Sequence, residues 1–269
     1  MQLRVRHLTT YTYSHPISYA IQTLRLTPRS YDGLTVLRWQ VRGDRSRPLP
    51  SFIDGLGNVV HANAINRPHQ TASILVEGEA ITQATDGVVQ GAPEPLPPAY
   101  FLRPTPLTMP DAAIAALAAE AGPGLRERLF ALMVMVGNRI VYQEGATDAA
   151  TTAAQALALG CGVCQDHAHV FIAACRGLGI PARYVSGYLW MGDNGTTRPA
   201  NHAWAEAYLE GLGWIGYDPA NQTQPTDAYI RVAAGLDSRA AAPVRGVRRG
   251  EAGETLSVAV QVGPVESTQ

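Results

Sequence analysis

Basic side chains do not outnumber acidic ones in this chain. Its 269 residues carry 21 Lys and Arg against 22 Asp and Glu, a formal net charge of −1. Without a basic surplus there is no overall electrostatic pull towards nucleic acid or an anionic membrane. No run approaches the roughly 18 apolar residues that would cross a bilayer. The stretch Met1-Gln2-Leu3-Arg4-Val5-Arg6-His7 has no apolar core of the kind a secretory leader needs. Cysteine is scarce: Cys161, Cys164 and Cys175 are an odd set crowded into one segment, which is no disulfide framework. These absences predict a cytoplasmic protein with no nucleic-acid or membrane partner. What is present, 46% hydrophobic and 16% charged residues, is ample for a packed core. The length suits two modest domains or one large one.

The first part of the chain reads as β. Leu3, Val5, His7, Thr9, Tyr11 and Tyr13 share one parity and suit one face of a sheet. Segments 21–26, 36–41, 59–65 and 73–81 repeat the theme, and Asp54-Gly55-Leu56-Gly57-Asn58 supplies a turn. Short strands between turn signals predict an antiparallel, sandwich-like domain over residues 1–90. Seven prolines between Pro93 and Pro110 then predict a stiff, extended connector over 91–110.

Helical signals take over at residue 111. Asp111 caps an Ala-rich helix, and Leu125, Leu129, Leu132, Met133 and Val136 fall at helical spacing. Thr152 to Leu159 forms a third helix ended by Gly160, and Cys164 to Leu178 a fourth. In the fourth, Ala168, Phe171, Ile172, Cys175 and Leu178 make one apolar stripe. Strand signals return at 182–190, 202–209 and 214–217, with a loop at Gly192-Asp193-Asn194-Gly195. Two further strands follow, at 230–233 and 255–262. Helices followed by an antiparallel sheet make an α+β core over 111–269.

Three residues in that core carry chemistry. Cys164 stands in the first turn of its helix, where unpaired N–H groups and the helix dipole stabilise negative charge on sulfur and on an attacked carbonyl oxygen. Free cysteines are usually small buried hydrophobes, which describes Cys175; Cys164, between Gly162 and Gln165 at a helix start, does not fit that description. His202 stands at the mouth of a strand after the polar loop Gly195 to Asn201. Asp218 ends the next strand, and if the two strands are neighbours it can hold the imidazole. Cys, His and Asp together supply a nucleophile, a base and an orienting carboxylate.

Gly162-Val163-Cys164-Gln165-Asp166-His167-Ala168 resembles the catalytic helix start of the transglutaminase-like superfamily. Gly179-Ile180-Pro181-Ala182-Arg183-Tyr184-Val185-Ser186-Gly187-Tyr188, His202-Ala203-Trp204 and Asp218-Pro219 are similar to later segments of that family. His7-x-Thr9-x-Tyr11-x-Tyr13, Leu26-Thr27-Pro28-Arg29, Asp54-x-x-Gly57-Asn58 and Pro243-Val244-Arg245-Gly246 are similar to its bacterial two-domain members. The resemblance implies a papain-related α+β core in which Cys164 attacks a peptide, protein or small-molecule amide to form a thioester. His202 would handle the protons and Asp218 would orient His202. Water or an amine would then take the acyl group, without metal or cofactor. The other class of function is an idle binding module on the same fold, against which the intact trio argues.

Two residues depart from the pattern. Cys161 makes Cys161-Gly162-Val163-Cys164 a C-x-x-C, which also matches a redox pair or half a zinc site. A reversible disulfide that silences Cys164 is a milder reading. His167, three residues after Cys164 on the same helical face, competes with His202 as the local base, but it has no carboxylate of its own. Asp166 is expected to bond the free N–H groups of the helix start.

Overall fold

The computed structural model describes residues 1–44, 49–192 and 201–265. Its elements in chain order are β1 (Gln2–Ile17), β2 (Tyr19–Thr27), β3 (Leu34–Arg42), β4 (Ser51–Ile53), β5 (Val59–Ile65), β6 (His69–Thr82) and β7 (Val88–Val89). The helical region then contributes α1 (Ala112–Glu120), α2 (Leu125–Arg139), β8 (Val141–Tyr142), α3 (Ala153–Leu159), β9 (Cys161–Gly162) and α4 (Cys164–Gly177). The last elements are β10 (Ala182–Leu189), β11 (Asn201–Leu209), β12 (Gly213–Tyr217), β13 (Tyr229–Gly235), β14 (Val244–Arg249) and β15 (Glu254–Pro264). The architecture is α+β, with an antiparallel β region and a mixed core.

Alternation builds the β region as the sequence predicts. Leu3, Val5, His7, Thr9 and Tyr13 on β1 are all buried. Two four-stranded antiparallel sheets, in the orders β15-β1-β6-β3 and β14-β2-β5-β4, pack face to face. Leu24 and Leu26 of β2 meet Val41, Ile74 and Val76 of the opposite sheet. The turn at Asp54 ties this sandwich to the core. Asp54 Oδ1 accepts from the Leu56 and Asn58 amides, and the Asn58 side chain bonds both the N–H and the C=O of Ala234 on β13.

The strands do not sort by position in the chain. The tail expected to close the core returns to the sandwich: β15 pairs along the length of β1, and β14 pairs with β2. The pairing keeps parity, since Val258, Val260 and Val262 stand opposite Thr9, His7 and Val5. Conversely β7, from before the connector, pairs with β12 and completes the core sheet β13-β10-β11-β12-β7. The connector is not extended either. Prolines open two 3₁₀ turns, Pro98–Leu102 and Pro106–Thr108, where a fixed φ and a missing N–H cost nothing. Phe101, Leu107 and Thr108 are buried, so this segment is a docked strap.

Asp111 caps α1 through the Ile114 amide at 2.8 Å, and Gly160 ends α3 at φ +67°. The stripe expected on α4 is too narrow a description. Every residue from Asp166 to Arg176 is buried, because α1, α2, α3 and the sheet surround the helix. Ala203, Ala205 and Ala207 of β11 belong to the same core, and side chains this small let helix and strand approach closely. At the far end of α4, Arg176 donates to the carbonyls of Phe101, Ala182 and Leu236 and to Thr108 Oγ1. It thereby pins the strap to the core. No described helix is long and apolar enough to cross a membrane.

Candidate active site

The parallel pair β8–β9 delivers the chain to the start of α4. Val163 is extended (φ −109°, ψ −178°) and Cys164 is the first helical residue. Its N–H and that of Gln165 precede the intrahelical ladder. Asp166 fixes this corner, as the sequence predicts: its Oδ2 accepts from the Val163 amide at 2.8 Å and from Thr147 Oγ1 at 2.6 Å. A Cβ at residue 162 would stand 2.6 Å from that same oxygen, so only glycine fits.

His202 lies at the start of β11 and Asp218 just beyond β12, and the two strands are antiparallel neighbours. His202 Nε2 stands 2.6 Å from Asp218 Oδ2. The carboxylate is fully buried and well supplied with donors. Oδ2 also accepts from Asn221 Nδ2 at 2.7 Å and Tyr229 Oη at 2.8 Å, while Oδ1 takes the Ala220 and Asn221 amides. Burial penalises the Asp218 charge, but His202 and these donors outweigh it and hold the carboxyl below its ordinary range. Burial likewise pushes the His202 imidazole down. The charge and hydrogen bond of Asp218 prevail, helped by a hydrogen bond with Cys164 and the charge there, and raise it to about 10.

Trp204 stacks on His202 with ring centres 6.2 Å apart, and Tyr229 meets it edge-on at 6.0 Å. Of the other strand aromatics, Tyr188 is buried against His7 and Trp214 lies under Arg183, so both are core. Further along β11, Glu206 binds Arg183 at 2.6 Å and Arg231 at 2.7 Å. Burial opposes its charge, yet the two guanidinium groups hold its carboxyl at about 2. This buried ion cluster ties β11 to its neighbour β10 and, across β10, to β13.

His167 is not placed as a base. Its Nδ1 faces the Val163 carbonyl at 2.9 Å and its Nε2 the Ile140 carbonyl at 2.8 Å, so neither nitrogen is free for a thiol proton. His169 is wholly buried, where its Nε2 takes the Ser238 amide. The disulfide reading of Cys161 meets a geometric obstacle. Residues 161 to 163 are extended, which separates the Cα atoms of Cys161 and Cys164 by roughly 10 Å, beyond the reach of an S–S bond. All three cysteines are free. The turn at 192–195 and the loop leading to His202 fall largely on residues 193–200, outside the described residues.

Sequence reasoning missed two supporting residues. Asn221 was signalled by Asp218-Pro219-Ala220-Asn221, a turn-forming pattern in which an aspartate bonds amides two and three residues on. Tyr229 carried no local signal, since its role comes from pairing between β13 and β10.

Comparison with known families matches residues 3–80 to the bacterial transglutaminase-like N-terminal region and residues 112–219 to the transglutaminase-like superfamily core. The protein ML0607 of Mycobacterium leprae is 30% identical over 275 residues, spanning 97% of this chain and 98% of its own. This chain belongs to the transglutaminase-like superfamily. Another similar protein, Rv2569c of Mycobacterium tuberculosis, is 28% identical over 98% of this chain and 93% of its own. Both relatives are named as uncharacterized proteins. The transglutaminase-like fold is also shared with a candidate cysteine protease from Cytophaga hutchinsonii, at TM-score 0.77 and 22% identity, covering 100% of this chain and 92% of that one.

The periplasmic domain of TgpA from Pseudomonas aeruginosa is a more distant match, at TM-score 0.40 and 16% identity over 80% of this chain and 90% of that one. The expected cytoplasmic location is corrected on this finding, because a structural relative whose compartment is stated is periplasmic. The inference from cysteine was misdirected. Three free thiols crowded around one helix do not report on the redox state of a compartment, and the slight likeness to TgpA assigns no compartment to this chain.

Proposed function

We propose that this transglutaminase-like protein is a thiol enzyme acting on carboxamide or peptide bonds, with Cys164 as nucleophile, His202 as proton carrier and Asp218 as its orienting partner. The observation that carries the reading is the 2.6 Å contact of His202 Nε2 with a buried carboxylate, in a core whose buried helix α4 begins at Cys164. With Nε2 committed to Asp218, Nδ1 is the nitrogen left for Cys164. A ring whose pKa is raised to about 10 stays protonated at neutral pH, which supports a resting thiolate–imidazolium pair.

In this reading the Cys164 sulfur bonds to the carbonyl carbon, and the oxyanion is met by N–H groups of the first turn of α4. Collapse breaks the C–N bond, and His202 gives its proton to the departing ammonia or amine. Water or a primary amine then attacks the thioester, His202 takes its proton, and the C–S bond breaks to restore the thiolate. All 21 basic residues of the chain are arginine. An ε-amine acceptor therefore has to come from another molecule.

The test is mass spectrometry of a Gln-containing peptide incubated with the wild type, with and without a primary amine. Conversion to Glu or cleavage marks hydrolysis, and the added mass of the amine marks transfer. Cys164→Ala should abolish every product while retaining the wild-type melting temperature. Products that survive this substitution would remove the thiol mechanism.

A further inference from the structure

We propose that β15 is a self-pairing edge, through which two copies of this chain join their first sheets by antiparallel β15–β15 contact about a two-fold axis at Ala259. Open sheets protect their edges with charge, irregularity or brevity. Three of the four sandwich edges here do so. β3 carries Arg38 and Arg42 and slips register between Val36 and Arg38; β14 carries Arg245, Arg248 and Arg249; β4 is three residues long.

β15 has none of these devices. Its 11 residues pair with β1 without a bulge, and within the strand no proline stands before Pro264 and no charged residue after Glu254. Among the described residues β1 alone pairs with it. Its apolar parity is left open at one end, with Leu256 53% and Val258 46% exposed.

The charge pattern favours a second copy as the occupant. From Thr255 to Pro264 the strand is neutral, so pairing with itself opposes no like charges. With Ala259 on the axis, Val258 faces Val260 of the second copy and Leu256 faces Val262, apolar against apolar on one face. Glu254 falls opposite Pro264 and keeps its ion pair with Arg248 at 3.2 Å. The result is one eight-stranded sheet with roughly ten new backbone hydrogen bonds. An interface of one strand pair is small, so the dimer should be reversible and dependent on concentration.

Analytical ultracentrifugation of the full chain up to about 100 μM tests this. The wild type should pass reversibly from monomer to dimer. Ala259 is exposed, so Ala259→Lys leaves the monomer intact but sets two ammonium groups face to face across the axis, weakening the dimer roughly tenfold or more. Ala259→Glu should do the same, and mixing the two variants should restore a dimer. A wild type that stays monomeric, or that forms open-ended oligomers, overturns the proposal. So does a dimer indifferent to Ala259→Lys, or a mixture of variants that fails to pair.

Discussion

The Tyr229 hydroxyl donates to Asp218 Oδ2 at 2.8 Å, on the same oxygen that meets the His202 ring. The carboxylate is thus held by groups from three directions: β11, the turn after β12, and β13. Tyr229→Phe keeps the packing against His202 and Trp204 and removes only this bond. It should lower the unfolding free energy by about 1.5–3 kcal/mol, the range for a bond to a charged group. Urea denaturation reads the change; no change would mean that Asp218 is fully held without the hydroxyl.

The two histidines near Cys164 should separate by assay. His202→Ala should slow iodoacetamide alkylation of Cys164 at neutral pH by roughly tenfold or more. His167→Ala should affect that rate far less and instead lower stability by about 2–3 kcal/mol, because the buried Ile140 carbonyl loses its ring partner. The reverse pattern would move the base to His167.

The His202–Asp218 pair sets a pH window. A raised imidazole pKa contributes stability that is fully present below its ordinary 6.5 and is lost as pH rises through about 10. A depressed carboxyl contributes stability present above 3.8 and lost as pH falls below it. The difference in unfolding free energy between wild type and His202→Gln should therefore peak between about pH 4 and 6.5 and shrink towards pH 10. A flat difference from about pH 6.5 to pH 10 would contradict the raised value.

Gly162→Ala should damage the corner that presents Cys164. The new methyl group would meet Asp166 Oδ2 at 2.6 Å and Asp166 Cβ at 2.8 Å. Displacing that carboxylate uncaps Val163, at a cost of about 1–3 kcal/mol. Thermal melting should show the loss and alkylation of Cys164 should slow. A variant with wild-type melting and wild-type alkylation would show that the corner yields freely.

The candidate site could be proposed from the sequence because its signals are local: Gly160 and Gly162 punctuate, Asp166 caps, and His202 and Asp218 sit at the ends of strand-like runs. The environment of α4 was not. A helix buried on all sides normally reads as apolar all round, yet this one carries Asp166, His167, His169 and Arg176. Each of these polar groups bonds a backbone group or hydroxyl supplied by another part of the fold, and α4 alone gives no sign of them. The partners of β14 and β15 were hidden for a similar reason. Alternation announces a strand, but not which sheet accepts it, and five of the six residues of β14 are exposed and give no inward face to read.

The pairing of the first strand with the last also sets an order of events during synthesis. While the ribosome is still making residues 254–264, the stretch of β1 from Leu3 to Tyr13 has only β6 beside it, and its other flank offers free amides and carbonyls to any strand nearby. All of the residues proposed for catalysis precede that point in the chain, so the core can assemble before the sandwich is finished. A chain halted before β15 would carry a complete Cys164, His202 and Asp218 on a scaffold with an open seam.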